Sequence, residues 1–221
     1  MPDDDPLLHS LPAASRLALA YAPASARLPT LGLLALDARL AGLLRHSREP
    51  MLAQLRLSWW RESLGQDAGD WPAGEPLLAA LRSWNGHHQA LSALVDGWEA
   101  LTGPAPLPED ALLQMAQGRA AAFAGLARAL GHGDQAEAAH RLGLQWGLCD
   151  LALYLGDARE REAAASLARL HDVRKVRVRR PLRPLLVLHG LARSRLVADD
   201  PASEVTPRAM MRAMRLGLLG F

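Results

Sequence analysis

Two carboxylates four residues apart on a helix share one face and can grip a divalent cation between them and a substrate phosphate. In this chain of 221 residues, acids stand four apart only at Asp200 and Glu204, which flank Pro201 in an expected loop. On the expected helices and their starts, acids three apart occur at Asp96/Glu99, Asp134/Glu137 and Asp157/Glu160. The last two pairs read as solvated helix starts. Asp96/Glu99, in LVDGWEAL, is kept as a site candidate. The histidines offer no HxxxH or HxH spacing, and the neighbours His87 and His88 point apart on a helix, so no metal site is expected from them. Gly-rich phosphate loops, GxSxG and CxxC are all missing from the sequence. Cys149 is the single cysteine, set in the apolar run QWGLCDLALYL; it reads as a buried structural thiol rather than a nucleophile. It permits no intrachain disulfide and fits a reducing compartment.

Other polar and aromatic groups carry sharper expectations. Asp37 lies in an otherwise apolar stretch, so its carboxylate needs a partner; Arg56 or Arg61 of the next helix is expected to supply it. These residues also outline a candidate pocket for an anionic ligand. Trp59 and Trp60 are adjacent and face different ways, so one is expected in the core and the other on the surface, as a membrane or partner contact. Arg174, Lys175, Arg177, Arg179, Arg180 and Arg183 interleave with valines in a basic run. It is either a plain solvated surface or a contact for anionic lipid or an acidic protein partner. Nucleic acid is not expected, because the run has no aromatic for base stacking and the whole chain carries a formal charge of only +2.

The elements that must position these groups are helices. Half the residues are hydrophobic but only 5% are aromatic, and Leu and Ala dominate, which disfavours sheets. Pro and Gly divide the chain into helices expected at about 6–21, 29–46, 50–65, 76–84, 87–102, 109–130, 135–155, 157–171, 183–197 and 207–219. The helix at 29–46 is apolar around nearly its whole circumference, the mark of a central buried helix. The size suits a single domain over 1–221, an all-α bundle of orthogonal type. The acidic start MPDDDPLLHS lacks the basic region of a signal peptide, and no run of apolar residues is long enough for a membrane span.

The stretch APASARLPTLGLLALDARLAGLLRHSREPMLAQLRLSWWRESLG, from Ala22 to Gly65, resembles the N-terminal part of the squalene/phytoene synthase family. The likeness is greatest to a bacterial branch with a signature like "LLALYAFDAELAR…EPMLGQMRLQWWRDAL". It extends more weakly through LSALVDGWEAL, the region 140–157, PLRPLLVLHGLAR and RLGLLG. The resemblance implies the isoprenoid (trans-prenyl) synthase fold. Members that catalyse head-to-head prenyl transfer use Mg²⁺ held by two aspartate-rich motifs. Laid over this chain, the first motif puts Ala41 and Arg45 at aspartate positions, and the second puts Tyr154 at one, with Asp157, three residues on, the acid left nearby and so a candidate site residue. The chain is also shorter than a full synthase, with the deficit near 157–183.

The resemblance therefore implies a pseudoenzyme that acts by binding: an assembly factor, since one non-catalytic branch assists assembly of respiratory complex I, or a peripheral-membrane or isoprenoid-associated protein. The alternative is an active prenyltransferase of isoprenoid, carotenoid or hopanoid biosynthesis. No cofactor is expected on the first reading and Mg²⁺ only on the second. The expected partners are a protein or an anionic membrane surface, with an isoprenoid lipid as a further ligand. The expected location is cytoplasmic, at the inner face of the inner membrane if the membrane contact holds.

Overall fold

The computed structural model describes residues 5–46, 50–173, 176–198 and 206–220. Among these residues every regular element is helical. They form α1 (Pro6–His9), α2 (Ala13–Leu19), α3 (Ala24–His46), α4 (Pro50–Gly65), α5 (Pro76–Leu81), α6 (Ser92–Ala100), α7 (Glu109–Ala129), α8 (Ala136–Tyr154), α9 (Ala158–Leu170), α10 (Arg183–Ala198) and α11 (Pro207–Met214). A π-helical turn, Arg215–Leu219, continues α11. None of these helices is long and apolar enough to cross a membrane.

Local chemistry accounts for the boundaries. Prolines open α1, α5 and α11, and side chains of Asp5, Glu75 and Thr206 cap them by accepting from backbone N–H groups of Leu7, Leu77 and Ala209. The expected helix at 6–21 is two helices, because Pro12 takes an extended conformation and cannot continue the first. The helix expected to open at Pro29 instead begins at Ala24 and carries Pro29 inside it. Pro29 removes only one bond near the first turn, and its carbonyl accepts from Trp84 Nε1 at 3.0 Å. Between α5 and α6 the chain turns through Asn85 and Gly86, with φ of 50° and 86°. Glycine occupies this left-handed region without a Cβ penalty and asparagine tolerates it.

The most extensive packing is between α7 and α8, with α6 against α7 and α9 and α10 against α8. Small residues permit the close approach of the central pair. A Cβ on Gly143 would lie 2.8 Å from the Ala120 Cα, and one on Gly147 would lie 3.0 Å from the Ala116 Cα. The seam therefore brings backbone against backbone. Helix α3 touches α4, α5, α6 and α7 and buries Leu31, Leu33, Leu34, Leu36 and Leu40, as the all-round apolar pattern predicts.

A buried polar knot ties α8, α9 and α10. Gln145 of α8 donates through Nε2 to Asp172 Oδ1 at 2.9 Å and to the Ala168 carbonyl at 3.3 Å. Its Oε1 accepts from the Val173 N–H at 2.9 Å and from His189 Nε2 at 2.5 Å. Burial pushes the His189 pKa down to about 4, with nearby Arg193 acting the same way and Asp172 opposing.

A candidate binding cavity

Three charged residues meet where α3, α7 and α8 converge. Each is a lone or nearly lone charge on an apolar stretch: Asp37 on α3, Arg119 on α7 and Asp150 on α8. The Arg119 guanidinium is only 3% exposed. Its Nε and Nη2 donate to Asp37 Oδ1 and Oδ2 at 3.2 and 3.0 Å, and its Nη1 donates to Asp150 Oδ2 at 2.7 Å. It also lies over the Trp146 ring at 4.4 Å and the Trp98 ring at 5.3 Å. Trp98 Nε1 completes the cluster by donating to Asp37 Oδ1 at 2.9 Å. Burial alone would lower the Arg119 pKa. The two carboxylates outweigh it and raise the pKa above the ordinary arginine value.

This cluster forms the floor of a cavity of about 470 Å³ bounded by α2, α3, α6, α7, α8 and α10. Leucines such as Leu34, Leu44, Leu151, Leu188 and Leu191 supply much of the wall. Asp37, Ala41 and Arg45 line it from successive turns of α3, as the spacing of four requires. Eight residues of helix separate the Asp37 floor from Arg45, a rise of about 12 Å. Opposite stand Tyr154 of α8 and Arg195 of α10; Arg195 donates to the Tyr154 hydroxyl and lies 5.3 Å from its ring centroid. Arg45 and Tyr154 are exposed, which marks their end as the mouth. Among the described lining residues, three arginines stand against two aspartates.

The geometry corrects the expected partner of Asp37. Neither Arg56 nor Arg61 of α4 reaches it; Arg119 does, from a helix far along the chain. Arg56 is exposed on α4. Arg61 instead donates to Asp96 Oδ1 at 2.7 Å and to Glu99 Oε2, joining α4 to α6. Those two hydrogen bonds raise the Arg61 pKa. The candidate pair Asp96/Glu99 thus grips an arginine, and neither residue lines the cavity. Asp157 also lies outside the lining; it caps α9, accepting from the Arg159 and Glu160 N–H groups at 2.7 and 3.4 Å. The Arg159 N–H is the main reason its pKa is lowered.

The tryptophan pair divides as adjacency requires. Trp60 is 4% exposed in the core and Trp59 is 41% exposed, their rings edge to face. Of the basic run, Arg174 and Lys175 lie outside the described residues. Arg177 and Arg180 are exposed. Arg179 pairs with Asp134 at 2.8 Å, and its N–H donates to Gln135 Oε1 at 2.8 Å. Arg183 donates to the carbonyls of Gly217 and Leu218, closing the C-terminal turn. Asp200 and Glu204 lie outside the described residues.

Arg119, Asp150 and Arg195 were not among the expected site residues. The signal for the first two was present: Arg119 is the only charge between Asp110 and Arg128, and Asp150 the only one between Arg141 and Asp157. Arg195 stands among charged and polar neighbours and carries no such mark.

Mg²⁺, the ion the resemblance brings to this position, does not fit the donor set. The aspartate positions of the overlay, Ala41, Arg45 and Tyr154, all line the cavity, and they supply a methyl group, a cation and a phenol. The two carboxylates that are present each bind Arg119. Among the described residues, no group of three or more His, Cys, Asp or Glu side chains is placed to hold a metal. No family model, curated protein or solved structure matches this chain.

Proposed function

We propose that this protein is a non-catalytic relative of the squalene/phytoene synthases, with an isoprenoid synthase-like arrangement of helices, and that it works by binding. The observation that carries the reading is Arg119. It stands between the two cavity carboxylates and donates to both, so each is already held by an internal cation and the trio keeps one net negative charge. What supports the family assignment is that Ala41, Arg45 and Tyr154, the aspartate positions of the overlay, line one cavity together with Asp37.

The ligand that fits is a single isoprenoid or similar lipid chain ending in an anionic head. Cavities of this size commonly enclose small molecules along mostly apolar walls. The chain would lie along the leucines. The head would sit at the mouth, where Arg45 offers positive charge, and away from Asp37 and Asp150. An isoprenoid-associated or assembly role follows from such binding, and no bond is made or broken by the protein.

Farnesyl diphosphate titrated in EDTA and again in Mg²⁺ tests this, read by quenching of Trp98 and Trp146 emission together with a diphosphate-release assay. Equal binding in both buffers without release is the expected result. An Ala41→Trp variant should lose binding by filling the cavity while keeping its melting temperature within a few degrees. Diphosphate release that depends on Mg²⁺ would overturn the reading in favour of an active prenyltransferase. Absence of binding in both buffers would overturn the lipid ligand.

A further inference from the structure

Helix α11 and its π-helical turn present two different stripes to solvent. Met210, Met211, Met214, Leu218 and Leu219 are all exposed, Met211 by 73% and Leu218 by 59%. Arg208, Arg212 and Arg215 are exposed beside them. Repeats of three and four residues put the methionines with Leu218 on one arc of the helix and the arginines on the adjoining arc. Residues 206–220 contain no acid.

The third arc fixes the helix to the body. Ala213 is fully buried, Leu216 packs on Gly190 of α10, and Gly217 sits against the Tyr21 ring. Arg183 holds the Gly217 and Leu218 carbonyls, so the outward direction of both stripes is set by the fold. Arg180, one turn before Arg183, adds another exposed arginine at this end.

We propose that α11 with its C-terminal turn is a docking surface for an anionic lipid bilayer. An apolar stripe bordered by arginines suits the boundary between acyl chains and headgroups, where the methionines and leucines enter the apolar layer and the guanidinium groups meet lipid phosphates. The charge pattern selects this occupant: a second copy of the chain would bring another arginine stripe against the first. Within the 174–183 run, Arg179 and Arg183 are engaged within the protein, whereas the α11 arginines border an exposed apolar stripe. The inference stands apart from the cavity reading, because none of these residues lines the cavity.

Co-sedimentation of the full chain with vesicles tests it, using pure phosphatidylcholine and phosphatidylcholine with one-third phosphatidylglycerol. The protein should sediment with the anionic vesicles at low salt and largely stay free of the neutral ones. Met211→Glu with Leu218→Glu should lower the partition coefficient at least about ten-fold, since two apolar side chains no longer enter the bilayer. Changing Arg208, Arg212 and Arg215 to Gln should lower it by about five-fold per arginine. Unchanged helical circular dichroism confirms that these surface variants fold.

Leu55→Glu is the comparison, because α4 carries another exposed apolar stripe of Met51, Leu52, Leu55 and Trp59. Vesicle binding lost in Leu55→Glu but kept in the α11 variants would overturn the proposal. So would wild-type protein that ignores anionic vesicles, or a dimer in solution that Met211→Glu dissociates.

Discussion

Replacing Arg119 with Met is the most informative perturbation of this fold. Methionine keeps much of the side-chain length and can lie between Trp98 and Trp146, so the change isolates charge from volume. It leaves Asp37, whose side chain is 12% exposed, with Trp98 Nε1 as its remaining hydrogen-bond partner in the cluster. Asp150 is less affected, because its side chain is 27% exposed and can turn to water. Removing one member of a buried ion pair costs about 3–5 kcal/mol. That is a large part of the roughly 5–15 kcal/mol that holds a domain folded, and it corresponds to a melting temperature lower by about 10 °C for a chain of this size. Urea unfolding followed by circular dichroism measures the cost. The double variant Arg119→Met with Asp37→Leu removes both charges and should regain at least half of it, leaving mainly the unpaired Trp98 N–H. Arg119→Lys should not substitute, because one ammonium group cannot span two carboxylates as the guanidinium fork does. A single-variant cost below about 1 kcal/mol, or a double variant that only adds the two single costs, would refute the account of a coupled buried cluster.

Gly143→Ala should destabilise by about 1–3 kcal/mol despite the better helix propensity of alanine, since its Cβ meets the α7 backbone, whereas Gly156→Ala, with open space around it, should be close to neutral in the same urea titration. His189 should make the protein acid-sensitive. Its folded pKa of about 4 lies below the ordinary value of 6.5, so the unfolded chain binds the proton first, and stability present above pH 6.5 falls by up to about 3 kcal/mol as pH drops toward 4. In His189→Gln that part of the pH dependence, read from urea midpoints, should disappear. Cys149 is buried and its thiol is pushed up to about 12, chiefly by desolvation. Alkylation by iodoacetamide at pH 8, followed by mass spectrometry, should be slow in native protein and fast in urea; rapid native labelling would contradict that burial.

The helices were legible because Pro, Gly and capping residues mark their ends and the apolar pattern of α3 marks the centre. The α3 face carrying Asp37, Ala41 and Arg45 was legible too, from spacing within one helix. What escaped was pairing between helices. Asp37 and Arg119 are 82 positions apart; the isolation of Arg119 in an apolar run marks it for burial, but nothing local to either names the other as its partner. The choice is made by the glycine and alanine seam that sets α7 tightly on α8 and so determines which arginine arrives beside Asp37. Likewise the basic run reads as a uniform patch in one dimension. Only the fold shows Arg179 spent on Asp134 and Arg183 on the last helical turn. The double stripe of α11 follows from spacing, but its exposure depends on which arc packs against α10.

The Asp37–Arg119–Asp150 cluster also bears on which sequences are reachable from this one. A metal clamp in the cavity needs free carboxylates, and Asp37 and Asp150 are both held by Arg119, so an acid introduced at position 41 would find no free partner on the floor. Losing Arg119 first would strand Asp37 in the interior at a cost of about 3–5 kcal/mol. Each single step toward a metal site is therefore either futile or destabilising, and the productive route requires several changes at once. The buried arginine acts as a lock: substitutions at the cavity mouth leave it in place, while cation chemistry on the floor is closed one mutation at a time.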